Sequence, residues 1–182
     1  MQKKLFVLSI SLFLLVSSTY AQIEGAYLKS KEFSAFGFGA SLNFSFPVTE
    51  YGAITADAAA YFFKDDIDQI VMIPLVLGYR YMLQDPEGGF YVEPNAGYNI
   101  GYTDIQKEGP DGVLIYDPVT GTFEEQQAKG FTAGMTVGYG FTGKIAFNVG
   151  LRYQHVFVSD DPSHNLFSLR FSHPLTFKKK EY

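Results

Sequence analysis

Phe36-Gly37-Phe38-Gly39-Ala40-Ser41-Leu42-Asn43-Phe44-Ser45-Phe46 alternates from end to end. Phe36, Phe38, Ala40, Leu42, Phe44 and Phe46 are apolar; the residues between them are Gly37, Gly39, Ser41, Asn43 and Ser45. Successive side chains of a strand point to opposite faces, so this stretch reads as a strand with one large apolar face and one small polar face. Pro47 to Tyr51 then reads as a turn, because proline removes a backbone donor and ends the pairing.

Working outward from this strand, the same period recurs along the chain. Ile54, Ala56, Ala58, Ala60 and Phe62 alternate with Thr55, Asp57, Ala59 and Tyr61. Val71 to Tyr81 carries Ile73, Leu75, Leu77 and Tyr79 on one face, although its other face also holds Ile70, Met72 and Val76. Phe90 to Ile100, Phe131 to Phe141, Ile145 to Tyr153 and Phe167 to Phe171 alternate in the same way. With Ile23 to Lys29 these make eight strands, an even number and the smallest common size for a membrane barrel.

Which face meets water decides between architectures. A β-sandwich or a soluble lipocalin-like carrier of the periplasm wets one face of each strand, and that face then carries Lys, Glu, Asp and Arg. Here the strand interiors hold few charges, namely Asp57, Glu93, Arg80, Arg152 and Arg170. Most others lie in connections, such as Lys64-Asp65-Asp66, or in the tail Lys178-Lys179-Lys180-Glu181. Gly, Ser, Thr and Asn suit a narrow lumen filled by side chains, which turns the apolar face to lipid. The expectation is an all-β, eight-stranded antiparallel up-and-down transmembrane β-barrel.

Connection lengths agree with that expectation. Short turns fall at Pro47–Tyr51, Gln84–Gly88 and Thr142–Gly143. The opposite end carries Ser30–Ser34, Lys64–Asp68, Ser159–His164 and the one long loop, Thr103–Ala128. Outer-membrane barrels have short periplasmic turns and longer outer loops. Aromatics near strand ends (Tyr61 to Phe63, Tyr79, Tyr81, Phe90, Tyr91, Tyr102, Tyr153, Phe157) read as girdles at the two interfaces.

The N-terminus supplies the export signal such a protein needs. Lys3 and Lys4 precede the apolar run Leu5 to Val16, and Thr19-Tyr20-Ala21 places small residues at −3 and −1 of a cut after Ala21. The run is shorter than the roughly 20 apolar residues of a membrane-spanning helix, so residues 1–21 read as a cleaved signal peptide. Residues 22–177 then form the barrel, with its outer loop at 103–128, and residues 178–182 a charged tail. Loss of Lys3 and Lys4 leaves 12 basic and 19 acidic residues, a net charge of −7 that argues against nucleic acid. With no cysteine in the chain, neither a disulfide nor a cysteine-linked lipid anchor is available.

Three stretches carry a family resemblance: Ile73-Pro74-Leu75-Val76-Leu77-Gly78-Tyr79-Arg80-Tyr81, Gly89-Phe90-Tyr91-Val92-Glu93-Pro94-Asn95-Ala96-Gly97-Tyr98, and Gly150-Leu151-Arg152-Tyr153-Gln154. The mature chain resembles the outer-membrane β-barrel domain family, whose small members include OmpX-like and PorT-like proteins. The resemblance implies insertion into the outer membrane by the barrel assembly machinery, contact with outer-membrane lipid, and a structural or interaction role with no shared catalytic set. The chain departs from the usual pattern at Lys178–Tyr182, where many such proteins stop at an aromatic residue closing the last strand.

Asp57, Arg80, Glu93, Arg152 and Arg170 share the polar face and read as an ion-pair cluster in the lumen, since a charge held there must be paired or hydrated. Arg80 and Glu93 flank the Gln84–Gly88 turn at similar distances, as cross-strand partners do. In the long loop, Val113, Leu114, Ile115 and Tyr116 face Phe123 across Asp117-Pro118-Val119-Thr120-Gly121, which reads as a hairpin. Four consecutive apolar residues in an exposed, acidic loop (Asp104, Glu108, Asp111, Asp117, Glu124, Glu125) suit contact with an extracellular protein or surface partner.

One enzymatic alternative is visible. Arg152-Tyr153-Gln154-His155 looks like the strand-end histidine region of the lipid A deacylase barrels, which implies a His and a nearby Ser facing the outer leaflet. The serine expected two residues after His155 is Phe157, and Ser159 lies too far along the strand. Gly138-Tyr139-Gly140-Phe141-Thr142-Gly143 matches a dinucleotide fingerprint only formally, because a strand and not a helix follows it. His155, His164 and His173 lack metal-ligand spacing, and no cofactor is expected.

Overall fold

The structure, a computed structural model, describes residues 18–31, 33–65, 68–106, 115–118, 122–123, 127–143, 146–159 and 162–174. Eight long strands form a closed antiparallel barrel: β1 (Ser18–Lys29), β2 (Ser34–Pro47), β3 (Gly52–Asp65), β4 (Asp68–Met82), β5 (Gly89–Thr103), β8 (Gly130–Phe141), β9 (Phe147–Phe157) and β10 (His164–Pro174). Each pairs with the barrel strand before and after it in the chain, and β1 closes the ring by pairing with β10. Two short strands, β6 (Tyr116–Asp117) and β7 (Thr122–Phe123), pair with each other inside the long loop.

The alternation seen in sequence becomes an inside and an outside. Along β2, Ser41, Asn43 and Ser45 are buried while Phe36, Phe38 and Leu42 face outward, with Phe36 82% exposed. Leu77, Ile100, Leu151 and Phe171 are also exposed, so the apolar face runs around the whole wall. A water-soluble monomer rarely shows contiguous apolar surface beyond a few hundred Å². The barrel strands are 11 to 15 residues long, enough for the roughly 9–11 tilted residues that cross a hydrocarbon core.

The expected turns fall where the sequence puts them. Gly89 (φ 100°) and Gly143 (φ 117°) hold left-handed backbone at two of the three short turns, a conformation open to glycine at little cost. The Gln84–Gly88 turn is pinned by an Asp85–Gly88 bridge and by the Glu87 amide donating to Asp85 Oδ1 at 2.8 Å.

Three sequence expectations need revision. In the full chain the first strand starts at Ser18 rather than Ile23, because both neighbours extend far enough to pair with it (Ser18 with Ser45, Tyr20 with Pro174); a cut after Ala21 would leave the mature strand from Gln22 to Lys29. Tyr61, Phe63 and Tyr91 are not girdle residues but lie inside the barrel. His164 is not in a loop: it opens β10 and is buried.

The inward positions are also not uniformly polar. At the loop end Leu28, Phe33, Phe63, Ile70, Met72, Val156 and Leu166 form a continuous apolar core. The two ends of the long loop join it: Ile105 and Ala128 are buried, the Ile105 amide donates to Thr103 Oγ1, and Asn99 Nδ2 donates to the Ala128 carbonyl. The expected strand residue Ile145, loop residues Val113 and Leu114, the expected signal peptide up to residue 17 and the charged tail lie outside the described residues.

Candidate functional site

The barrel brings all five charged residues picked from sequence to its interior and buries every one. Arg80 and Glu93 are a cross-strand pair of β4 and β5. Arg80 Nε donates to Glu93 Oε2 at 2.7 Å and Nη2 lies 2.6 Å from the same oxygen, while the guanidinium stacks 4.5 Å from the centre of the Tyr91 ring. This pair lies toward the short-turn end, beside a pocket of about 180 Å³ that opens among Thr49, Glu50, Tyr51 and Glu87.

Asp57, Arg152 and Arg170 form a second group deeper in the barrel. Arg152 Nη1 donates to Asp57 Oδ1 at 3.1 Å and Arg170 Nη2 to Asp57 Oδ2 at 2.6 Å. β3 and β9 stand on opposite sides of the ring, so the Asp57–Arg152 contact crosses the lumen. Asn43 Nδ2 also donates to Asp57 Oδ2, and Arg152 Nε donates to Thr136 Oγ1.

Sequence reasoning missed Glu24, which completes this group. Its carboxylate lies 3.3 Å from Arg170 Nη2 and 3.9 Å from Arg152 Nη1. It accepts from Tyr61 Oη at 2.7 Å, Ser168 Oγ at 2.5 Å and Ser41 Oγ at 3.0 Å. Gln22 Oε1 accepts from Ser41 Oγ and Arg170 Nη2. The five picked residues contain three arginines and two acids, and that unbalanced positive charge was the available signal for a further carboxylate in the lumen. With Glu24 the described interior residues carry three of each sign. Two carboxylates face two guanidiniums, and hydroxyls and amides from five strands (Gln22, Ser41, Asn43, Tyr61, Thr136 and Ser168) supply most of the partners that buried charge demands; Arg152 Nη2 and Arg170 Nε and Nη1 are buried without a partner among the described residues.

On the outer wall, His155 Nδ1 lies 2.9 Å from Asn165 Oδ1, and that oxygen also accepts from Tyr153 Oη at 2.8 Å. The His155 ring meets the Phe157 ring edge-on, with centroids 4.4 Å apart. The histidine therefore has an orienting partner, and the position two residues on, where the deacylase resemblance expects a serine, is Phe157. Among the described residues no group of three or more His, Asp or Glu is placed to hold a metal.

In the long loop, the backbones of Tyr116 and Phe123 pair as the hairpin reading expects. Tyr116 is exposed and Ile115 half-buried.

A closed ring of eight antiparallel strands, apolar outside and filled with side chains inside, is the architecture of the small outer-membrane β-barrels. The OmpX-like fold expected from sequence is thus the fold observed. The attachment invasion locus protein Ail of Yersinia pestis matches with a TM-score of 0.60 at 11% identity, over 87% of this chain and 97% of that one. Neisserial surface protein A matches with a TM-score of 0.54 at 13% identity over the same shares. Ail in complex with the heparin analogue sucrose octasulfate matches with a TM-score of 0.55, again at 11% identity and over the same shares. No protein-family model and no curated protein matches the sequence.

Proposed function

We propose that this chain is a non-enzymatic outer-membrane barrel that holds the loop at 103–128 above the membrane and presents its hairpin to a partner. The carrying observation is the combination of a lipid-suited wall with an interior closed at two levels. The lumen-crossing Asp57–Arg152 contact fills the middle, and the apolar core built around Phe63, Ile70 and Leu166 closes the loop end. An interior of this kind serves rigidity rather than solute flow. The base of the loop belongs to that closure through Ile105 and Ala128, so the barrel is a stiff platform for whatever lies beyond.

The partner's chemistry follows from the loop's. Ail has been seen with a sulfated sugar analogue, but the loop here carries Asp104, Glu108, Asp111, Asp117, Glu124 and Glu125 against Lys107. Like charges repel, so a sulfated polysaccharide is disfavoured and a basic protein surface with apolar contacts is favoured. The enzymatic alternative, lipid A hydrolysis at His155, is weakened by Phe157 in the nucleophile's place.

Because the chain has no cysteine, Tyr116→Cys gives a single labelling site. In intact cells a membrane-impermeant maleimide is expected to label it, while Thr49→Cys, in a short turn, stays unlabelled until the outer membrane is opened. Labelling of Thr49→Cys alone would reverse the orientation and remove the loop from the cell surface.

A further inference from the structure

Outward-facing residues of four adjacent strands line up near the loop end. Ser34 pairs with Lys29, Lys29 with Asn165, and Asn165 with His155, a polar row across β2, β1, β10 and β9. In the neighbouring row toward the barrel's middle stand Phe36, Tyr27, Phe167 and Tyr153. Their rings are in contact, with Tyr27–Phe36 centroids 4.9 Å apart and Tyr153–Phe167 centroids 5.0 Å apart. Beneath them an apolar groove of about 650 Å³ runs over Gly25, flanked by Met135, Val137, Leu151 and Leu169. A Cβ added at Gly25 would meet nothing within 4 Å, so this glycine is the floor of an open depression in the wall.

From this arrangement we infer a binding site for one phosphorylated, acylated glycolipid of the outer leaflet, with its headgroup on Lys29, Asn165 and His155 and an acyl chain in the Gly25 groove. Two independent features meet here, a basic and amide-bearing row and an apolar trough directly inward of it. The row contains a lysine and a histidine but no carboxylate, which suits a phosphate. Asn165 Oδ1 is engaged by Tyr153 and His155. Because an amide oxygen only accepts, His155 Nδ1 carries its proton toward Asn165. His155 Nε2, the unprotonated ring nitrogen, is then left to accept from a sugar hydroxyl, while the Lys29 ammonium and the two Asn165 Nδ2 hydrogens are left to donate to phosphate oxygens. With Phe157 beside His155, the lipid is held and not cleaved.

The inference rests on the outer-membrane reading above, and one set of samples tests the two separately. The full-length protein, purified in mild detergent, is mixed with vesicles containing bisphosphorylated lipid A, dephosphorylated lipid A or phosphatidylglycerol, and retained lipid is read by native mass spectrometry. Expected is one retained bisphosphorylated lipid A of unchanged mass, with clearly weaker retention of the other two. Lys29→Ala should weaken retention about fivefold, the contribution of one lysine at a membrane surface. Lys64→Ala, at an exposed loop-end position of β3, should leave it unchanged. Gly25→Phe, whose Cβ would meet nothing within 4 Å, fills the groove and should abolish retention, while heat-modifiable gel migration reports that the barrel still forms. Equal retention of phosphatidylglycerol, equal effects of Lys29→Ala and Lys64→Ala, or full retention by folded Gly25→Phe would each overturn the site. A wild-type protein that shows no heat-modifiable band would instead overturn the membrane reading.

Discussion

Replacing Asp57 by Asn is the sharpest probe of the barrel's interior. The substitution keeps the side chain's shape and one oxygen, so it opens no cavity, but it removes the charge that receives Arg152 at 3.1 Å and Arg170 at 2.6 Å. Both guanidiniums then depend on Glu24, at 3.9 Å and 3.3 Å, and the group of four changes from neutral to a net positive charge. Removing one member of a buried ion pair costs about 3–5 kcal/mol, because the remaining charge stays desolvated. With a urea dependence of roughly 1–3 kcal/mol per molar, the unfolding midpoint should fall by on the order of 1–5 M, about 2 M at the middle of both ranges. The chain has no tryptophan, so unfolding of protein folded into lipid vesicles is best followed by tyrosine fluorescence and by loss of the compact band on unboiled gels. Adding Arg170→Met restores neutrality with a side chain of similar length and should recover at least half of the loss. An Asp57→Asn midpoint indistinguishable from wild type would refute this reasoning, as would a further fall on adding Arg170→Met.

Two smaller predictions follow from the wall and the loop-end core. Gly97→Ala would drive a Cβ into the Leu75 carbonyl oxygen, whereas a Cβ at Gly25 meets nothing within 4 Å; the first should cost about 1–3 kcal/mol or block barrel formation, the second less than about 1 kcal/mol in the same urea assay. Phe63→Ala, in the fully buried core at the loop end, should cost about 3–5 kcal/mol. An unchanged midpoint there would mean that the apolar layer is not packed.

The alternation of Phe36–Phe46 was enough to orient one strand, and its repetition was enough to close a barrel, because period two is set by backbone geometry alone. The same argument placed Asp57, Arg80, Glu93, Arg152 and Arg170 inside without knowing which would touch. Arg80 with Glu93 was readable because turn length fixes register across a hairpin. Glu24 was not, because it sits in Ile23–Lys29, where Gly25 weakens the apolar face and Ala26 and Leu28 weaken the polar one. The contact from Asp57 to Arg152 depends on how far round the ring each strand lies, which no local pattern encodes. The apolar core was half visible in Ile70 and Met72, which broke the polar face of β4. Its meaning appeared only when Leu28, Phe63, Val156 and Leu166 were found at the same level. The groove over Gly25 was likewise hidden, since it is made by side chains of five strands around a glycine that looked in sequence like a weak spot.

The central claim is that the protein is a closed barrel embedded in the outer membrane. It is tested most directly by fractionating cells that express the full chain and comparing gel migration of boiled and unboiled samples from the outer-membrane fraction. The account predicts a band in that fraction whose mobility shifts on boiling, as a barrel with no free strand edge resists detergent until heated. A protein recovered in the soluble periplasmic fraction, with no shift on boiling, would contradict it and put the Phe36–Phe46 face around an internal ligand instead of against lipid.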